Sequence, residues 1–160
     1  MRIPGSSVVI AYLILSSTAG ATQDMEALSK AVTAATAIQG DLAMAQKRFS
    51  ILSQGMAETE KCAARELLSA SVVFWEVTEE AREVGRILGE MKSVDDQSTV
   101  LGHFGVSAHR AAAIGETDIQ LVNELLTSIT TREAIVEAKT IRDKMIEVRD
   151  LLKPFASEKW

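Results

Sequence analysis

Apolar residues recur at alternating spacings of three and four along most of this chain beyond residue 24. Such spacing places apolar side chains on one face of an α-helix, which then packs against neighbouring helices. The stripe is most regular in the second segment, where it comprises Ala63, Leu67, Ala70, Phe74, Val77, Ala81, Val84, Leu88 and Met91. We therefore predict a helix over about 58–92.

The segment before it carries a similar stripe from Met25 to Met56. This stripe predicts a helix over about 24–54, since a glycine at position 55 is typical of a helix end. Gly40 lies inside this segment and leaves open whether the helix breaks there. A short connection around Gly55 would make the first two helices an antiparallel hairpin.

Beyond a polar turn at 93–98, the apolar stripes are shorter and change phase. A stripe from Val100 to Ile114 predicts a helix over about 98–114, which Gly115 would end. Two further apolar stripes follow, and they are offset from each other by one residue near position 130. At this offset, Thr130 and Glu133 form a Thr-x-x-Glu capping pattern, which is typical of a helix start. We therefore predict separate helices over about 118–129 and 131–153.

These elements together predict an all-α protein, an up-and-down antiparallel bundle of four to five helices. Aromatic residues make up only 4% of the chain, and runs of strand-forming residues are scarce, which argues against a β-sandwich or barrel. The single cysteine, Cys62, excludes an intrachain disulfide framework and a cysteine-based zinc site.

The first 21 residues have the pattern of a secretory signal peptide. Arg2 is the only charged residue before Asp24, an apolar run spans 8–15, and Ala19 and Ala21 provide the small residues of a cleavage site. We predict removal of 1–21, which leaves one helical-bundle domain over 22–160 in a secreted or periplasmic protein. The alternative is an uncleaved anchor, but the apolar run is short of the ~20 residues that a spanning helix needs. We therefore expect no stable membrane anchor after cleavage.

The formal net charge of −5 comes from 17 basic and 22 acidic side chains. A nucleic-acid binder usually shows a basic stripe, so this balance argues against nucleic acid as a partner.

The chain has two histidines, His103 and His109, and these are its candidate imidazole ligands for a metal ion or a haem. Their spacing of six residues separates them by ~120° around a helix, so they would not chelate one ion together. We therefore predict no metal site and no cofactor. A small-ligand, haem or metal-binding periplasmic carrier that uses His103 or His109 remains the alternative function.

No set of residues combines a base, a nucleophile and a stabilising group, so we predict that the protein is not an enzyme. Ser107 lacks the glycine pattern of a hydrolase nucleophile. The acidic residues of 76–83 are interleaved with Arg82 and Arg86, which is typical of a solvated, ion-paired face. Cys62 is expected to be either buried and inert or part of an intermolecular disulfide.

A second, weaker stripe on the second helix consists of Leu68, Val72 and Trp75. It indicates either extra core contacts with other helices or a surface for a partner. Tryptophan is a frequent anchor of protein interfaces. The sequence therefore predicts an exported, non-enzymatic interaction or self-association module whose partner is another protein or a second copy.

Overall fold

The computed structural model describes the backbone of residues 6–155 and the side chains of residues 25–154. Across these residues the chain forms four α-helices and no strand, which confirms the all-α prediction. The helices are α1 (Ser6–Ser53), α2 (Glu58–Glu90), α3 (Val94–Leu126) and α4 (Arg132–Leu152), and a 3₁₀ turn follows at Lys153–Phe155.

Each helix packs mainly on two neighbours. Helix α1 lies between α2 and α4, and α3 lies between the same two helices, whereas the diagonal pairs make far fewer contacts. The turns between consecutive helices are short, so successive helices run in opposite directions. The result is an up-and-down four-helix bundle in which α1 and α2 form the expected hairpin.

The buried core contains most residues of the apolar stripes that the spacing identified, although Ile114 of α3 is exposed. Seven of the nine stripe residues of α2 are buried, and only Leu88 and Met91, near the end of the helix, are partly exposed. The largest fully buried side chains include those of Phe49, Phe74, Phe104, Leu28, Leu42, Leu67, Ile141, Met145 and Leu152. All four helices thus contribute to one continuous core.

The prediction of two helices over 98–114 and 118–129 is wrong, because one helix, α3, covers all of the first range and continues through the second as far as Leu126. Gly115 does not end a helix but lies buried in the middle of α3. A Cβ atom at this position would lie 3.0 Å from Cζ of Phe74 on α2. The glycine therefore allows the two helices to approach closely.

Helix α1 continues through Gly40 without a break. It also runs through the predicted cleavage point after Ala21, so the structure describes the chain before any cleavage. Removal of 1–21 stays a prediction, and the side chains of residues 1–24 lie outside the described part. Among the described residues, no helix is long and apolar enough to cross a membrane.

The connection between α3 and α4 is held by Glu60 of α2. This carboxylate is 8% exposed and accepts hydrogen bonds from Thr130 N–H (2.5 Å), Thr130 Oγ1 (2.8 Å) and Thr131 N–H (3.1 Å). These bonds lower the pKa of Glu60 to about 2, although burial acts in the opposite direction. Thr131 makes no capping bond within its own helix. The predicted local capping pattern is replaced by hydrogen bonds that Thr130 and Thr131 donate to Glu60 of α2.

Candidate interaction surface

The second stripe of α2 faces outward from the bundle. Val72 is 43% exposed and Trp75 is 37% exposed, while Leu68 is partly buried at the edge of the core. Their spacings of four and three place the three side chains on one face in successive turns. Val72 and Trp75 are not among the buried core residues, although about two thirds of the Trp75 side chain is covered by its neighbours. We call Leu68, Val72 and Trp75 the α2 stripe.

Polar contacts between α1 and α2 set which face of α2 points outward. Gln46 Nε2 of α1 donates to the buried Ser71 Oγ (2.8 Å), and Gln39 Nε2 donates to Glu79 Oε2 (2.9 Å). The Ser71 hydroxyl in turn donates to the backbone oxygen of Leu68 (2.7 Å). Because buried polar groups need these partners, a rotation of α2 that buried the stripe would break them.

The two ends of the α2 stripe carry opposite charges. Lys61 and Arg65 precede it, and Glu79 and Glu83 follow it on the same helix. Lys61 pairs with Glu58 (2.8 Å), whereas Arg65 forms no ion pair within residues 25–154.

The glutamates at the other end are ionised at neutral pH. Arg82 hydrogen-bonds to Glu79 and Arg86 hydrogen-bonds to Glu83, and each bond lowers the pKa of the carboxyl that accepts it. The stripe is therefore an apolar centre between a basic and an acidic end.

The stripe forms a ridge between two shallow grooves. Leu68 lines one groove of about 400 Å³ between α1 and α2, together with Lys61 and Arg65. Val72 lines the other groove, of about 420 Å³ between α2 and α3, together with Asp118 and Leu121. A ridge flanked by grooves is the shape that helices use when they pack on one another.

The two histidines are not arranged as a joint site. Helix α3 is continuous through both, which keeps them on different faces; His103 is exposed and His109 is half-buried. Nδ1 of His109 is buried and has no hydrogen-bond partner among the described residues. Within that same part of the chain, no group of three or more histidine, cysteine, aspartate or glutamate side chains could hold a metal ion.

Cys62 is exposed, so the expectation of a buried cysteine is wrong, and the intermolecular disulfide stays a prediction. Its Sγ lies 3.9 Å from Oε1 of Glu66.

Sequence reasoning missed an open cleft of about 830 Å³ at one end of the bundle. Its apolar lining comes from Met25, Leu88, Val94 and Leu101, and neither histidine lines it. The one feature of the sequence that could have indicated this cleft is Val94, an apolar residue in a polar turn. The side chain of Val94 is 77% exposed.

No protein-family model, curated protein or solved structure matches this chain.

Proposed function

We propose that this chain is an exported, non-enzymatic helical-bundle protein that acts as a protein-interaction or self-association module through the α2 stripe. The observation that carries the proposal is the exposure of Val72 and Trp75 beside Leu68, in successive turns of one helix. Single exposed apolar residues are common on protein surfaces, whereas a contiguous apolar strip with a tryptophan is typical of an interface.

The surroundings of the stripe support the same function. Interfaces commonly have an apolar centre within a polar, solvent-accessible rim. Arg65 at one end and Glu79 at the other would supply such a rim. Charged side chains at the rim help to select a partner and its orientation more than they add affinity.

The proposed export, to the periplasm or the medium, rests on the leader pattern of residues 1–21. The proposed lack of enzymatic activity rests on the absence of a pattern of base, nucleophile and stabilising group in the sequence.

The experiment that tests this function places a benzophenone amino acid at position 72 in the cells that make the protein. Position 136 is the matched control, since Val136 is also an exposed valine of a helix, 59% exposed on α4. Irradiation is expected to yield one discrete adduct from position 72 and none from position 136. Absence of an adduct at position 72, or equal adducts at both positions, would overturn the proposal.

A second candidate, a carrier of small apolar molecules, is favoured by the size of the cleft at the end of the bundle. Its 830 Å³ fall within the range of ~300–1,000 Å³ that is usual for ligand sites. Neither His103 nor His109 lines the cleft, so a carrier that bound its ligand there would not use a histidine. Native mass spectrometry of the exported protein tests it: a bound small molecule that Val94→Trp expels supports the carrier, and its absence opposes it.

A further inference from the structure

We infer that the partner of the α2 stripe is a second copy of this chain, with the two α2 helices antiparallel and a two-fold axis at Val72. This inference rests on the proposed function and names the partner of the same surface. Its basis is the arrangement of basic and acidic residues at equal distances on the two sides of Val72.

In an antiparallel pair with this axis, residues at equal distances from Val72 in the sequence face each other. Arg65 and Glu79 are each seven residues away, so Arg65 of one copy meets Glu79 of the other. Lys61 and Glu83 are each eleven residues away and meet in the same manner. Seven and eleven residues are both close to whole numbers of helical turns, so all four positions lie on the face of the stripe. Glu79 lies at the edge of this face next to α1, where its carboxylate also accepts hydrogen bonds from Gln39 and Arg82.

The symmetry repeats each of these contacts, because a two-fold interface uses the same patch on both copies. The arrangement thus gives four oppositely charged pairs around the apolar centre. Arg65, which has no ion pair within residues 25–154, gains one from Glu79 of the second copy.

A parallel pairing of the same helices would have the opposite electrostatics. Each residue would then face its own copy, which brings Arg65 against Arg65 and Glu79 against Glu79. Like charges that face each other destabilise a helix pair, so the charge pattern selects the antiparallel orientation.

At the centre, Val72 meets Val72 and the indole of Trp75 lies over Leu68 of the second copy. The apolar contact is small, and small interfaces are usually weak and transient. We expect a dissociation constant on the order of 10 µM.

The first test is the oligomeric state of the purified exported protein by sedimentation velocity across a concentration series. We expect a monomer–dimer equilibrium that Arg65→Glu weakens about tenfold, since it turns both Arg65–Glu79 pairs repulsive. The double variant Arg65→Glu/Glu79→Arg should restore dimerisation to within about threefold. Circular dichroism melts of each variant verify that the bundle is folded. No restoration in folded double-variant protein would overturn the register.

The second test maps the orientation by oxidative crosslinking. In a Cys62→Ser background, Val72→Cys should form a disulfide-linked dimer because the axis brings its two copies together, while the exposed control Val136→Cys should not. Cys62 of the two copies would lie about 30 Å apart, ten residues from the axis on each side. Efficient crosslinking of the unchanged protein through Cys62 would instead indicate a parallel pair and overturn the inference.

The two proposals fail in different ways. A purified protein that stays monomeric while position 72 crosslinks to another protein in cells overturns the second copy but keeps the interaction surface. A purified protein that stays monomeric, and that also forms no adduct at position 72 in cells, overturns both the second copy and the interaction surface.

Discussion

The ring of Phe74 on α2 lies directly against the backbone of Gly115 on α3. A Cβ atom added to Gly115 would be 3.0 Å from Cζ and 3.3 Å from Cε1 of that ring. Phe74 is fully buried, so its ring is packed on other sides as well and has little freedom to yield. The distance between α2 and α3 therefore depends on the absence of a side chain at Gly115.

Replacing Gly115 with alanine should destabilise the protein. Forcing one methyl group into this contact should lower the free energy of unfolding by about 1–3 kcal/mol. Gly102, on the same helix, is the matched control, because a Cβ atom there meets nothing within 4 Å. Gly102→Ala should raise the free energy of unfolding by about 0.5–1 kcal/mol, since alanine favours helix. Urea unfolding measures both, and changes of the same sign would contradict the close approach.

The hydrogen bonds of Glu60 predict how stability depends on pH. Its pKa is lowered from 4.5 to about 2 in the folded chain, so the folded state favours the ionised carboxylate. The stabilisation is complete above the unfolded pKa near 4.5 and is lost as the pH falls from there towards 2. Thermal melts from pH 7 to pH 2 should show this loss.

The variant Glu60→Gln isolates this contribution. An amide offers only one acceptor oxygen, so a donor at Thr130 or Thr131 would lose its partner. We expect a clearly lower melting temperature than that of the unchanged protein at pH 7, and a smaller difference at pH 3. The exposed Glu124→Gln on α3 serves as the control and should leave the curve unchanged. A difference that is constant with pH would rule out the role of Glu60.

Cleavage of the leader is checked by the mass of the exported protein. We expect a chain that begins at Thr22, since signal peptidase cuts after small residues such as Ala19 and Ala21 in this arrangement. Ala21→Arg should leave the leader attached. An exported chain that still begins at Met1 would contradict the assignment of residues 1–21.

Periodicity predicted the buried face of α2 correctly, because the spacing of Leu67, Phe74 and their neighbours determines which side chains can meet a core. It failed at Gly115, where local sequence is equally typical of a helix end and of a close contact. The deciding group, the ring of Phe74, belongs to another helix. The exposure of Trp75 likewise depends on where α1 and α3 lie, which the α2 pattern alone does not contain.

Glu60 shows a similar limit at the α3–α4 connection. The Thr-x-x-Glu pattern at Thr130 favoured a local cap, while the true acceptor lies on α2. A signal was present, since Glu60 continues the apolar stripe of α2 three residues before Ala63. A carboxylate in phase with a buried face needs several donors, and such donors are available at a helix start.

The role of the α2 stripe as a partner surface is tested most directly by the effect of Trp75→Ala on both folding and crosslinking at position 72. Because Trp75 is 37% exposed, the variant loses part of its packing, and we expect a melt that stays cooperative with a free energy of unfolding lowered by about 1–3 kcal/mol. The yield of the adduct at position 72 should fall several-fold, since the indole is the largest apolar group of the surface. Loss of the cooperative melt with an unchanged yield of the adduct would show that Trp75 belongs to the core and is not part of a partner surface.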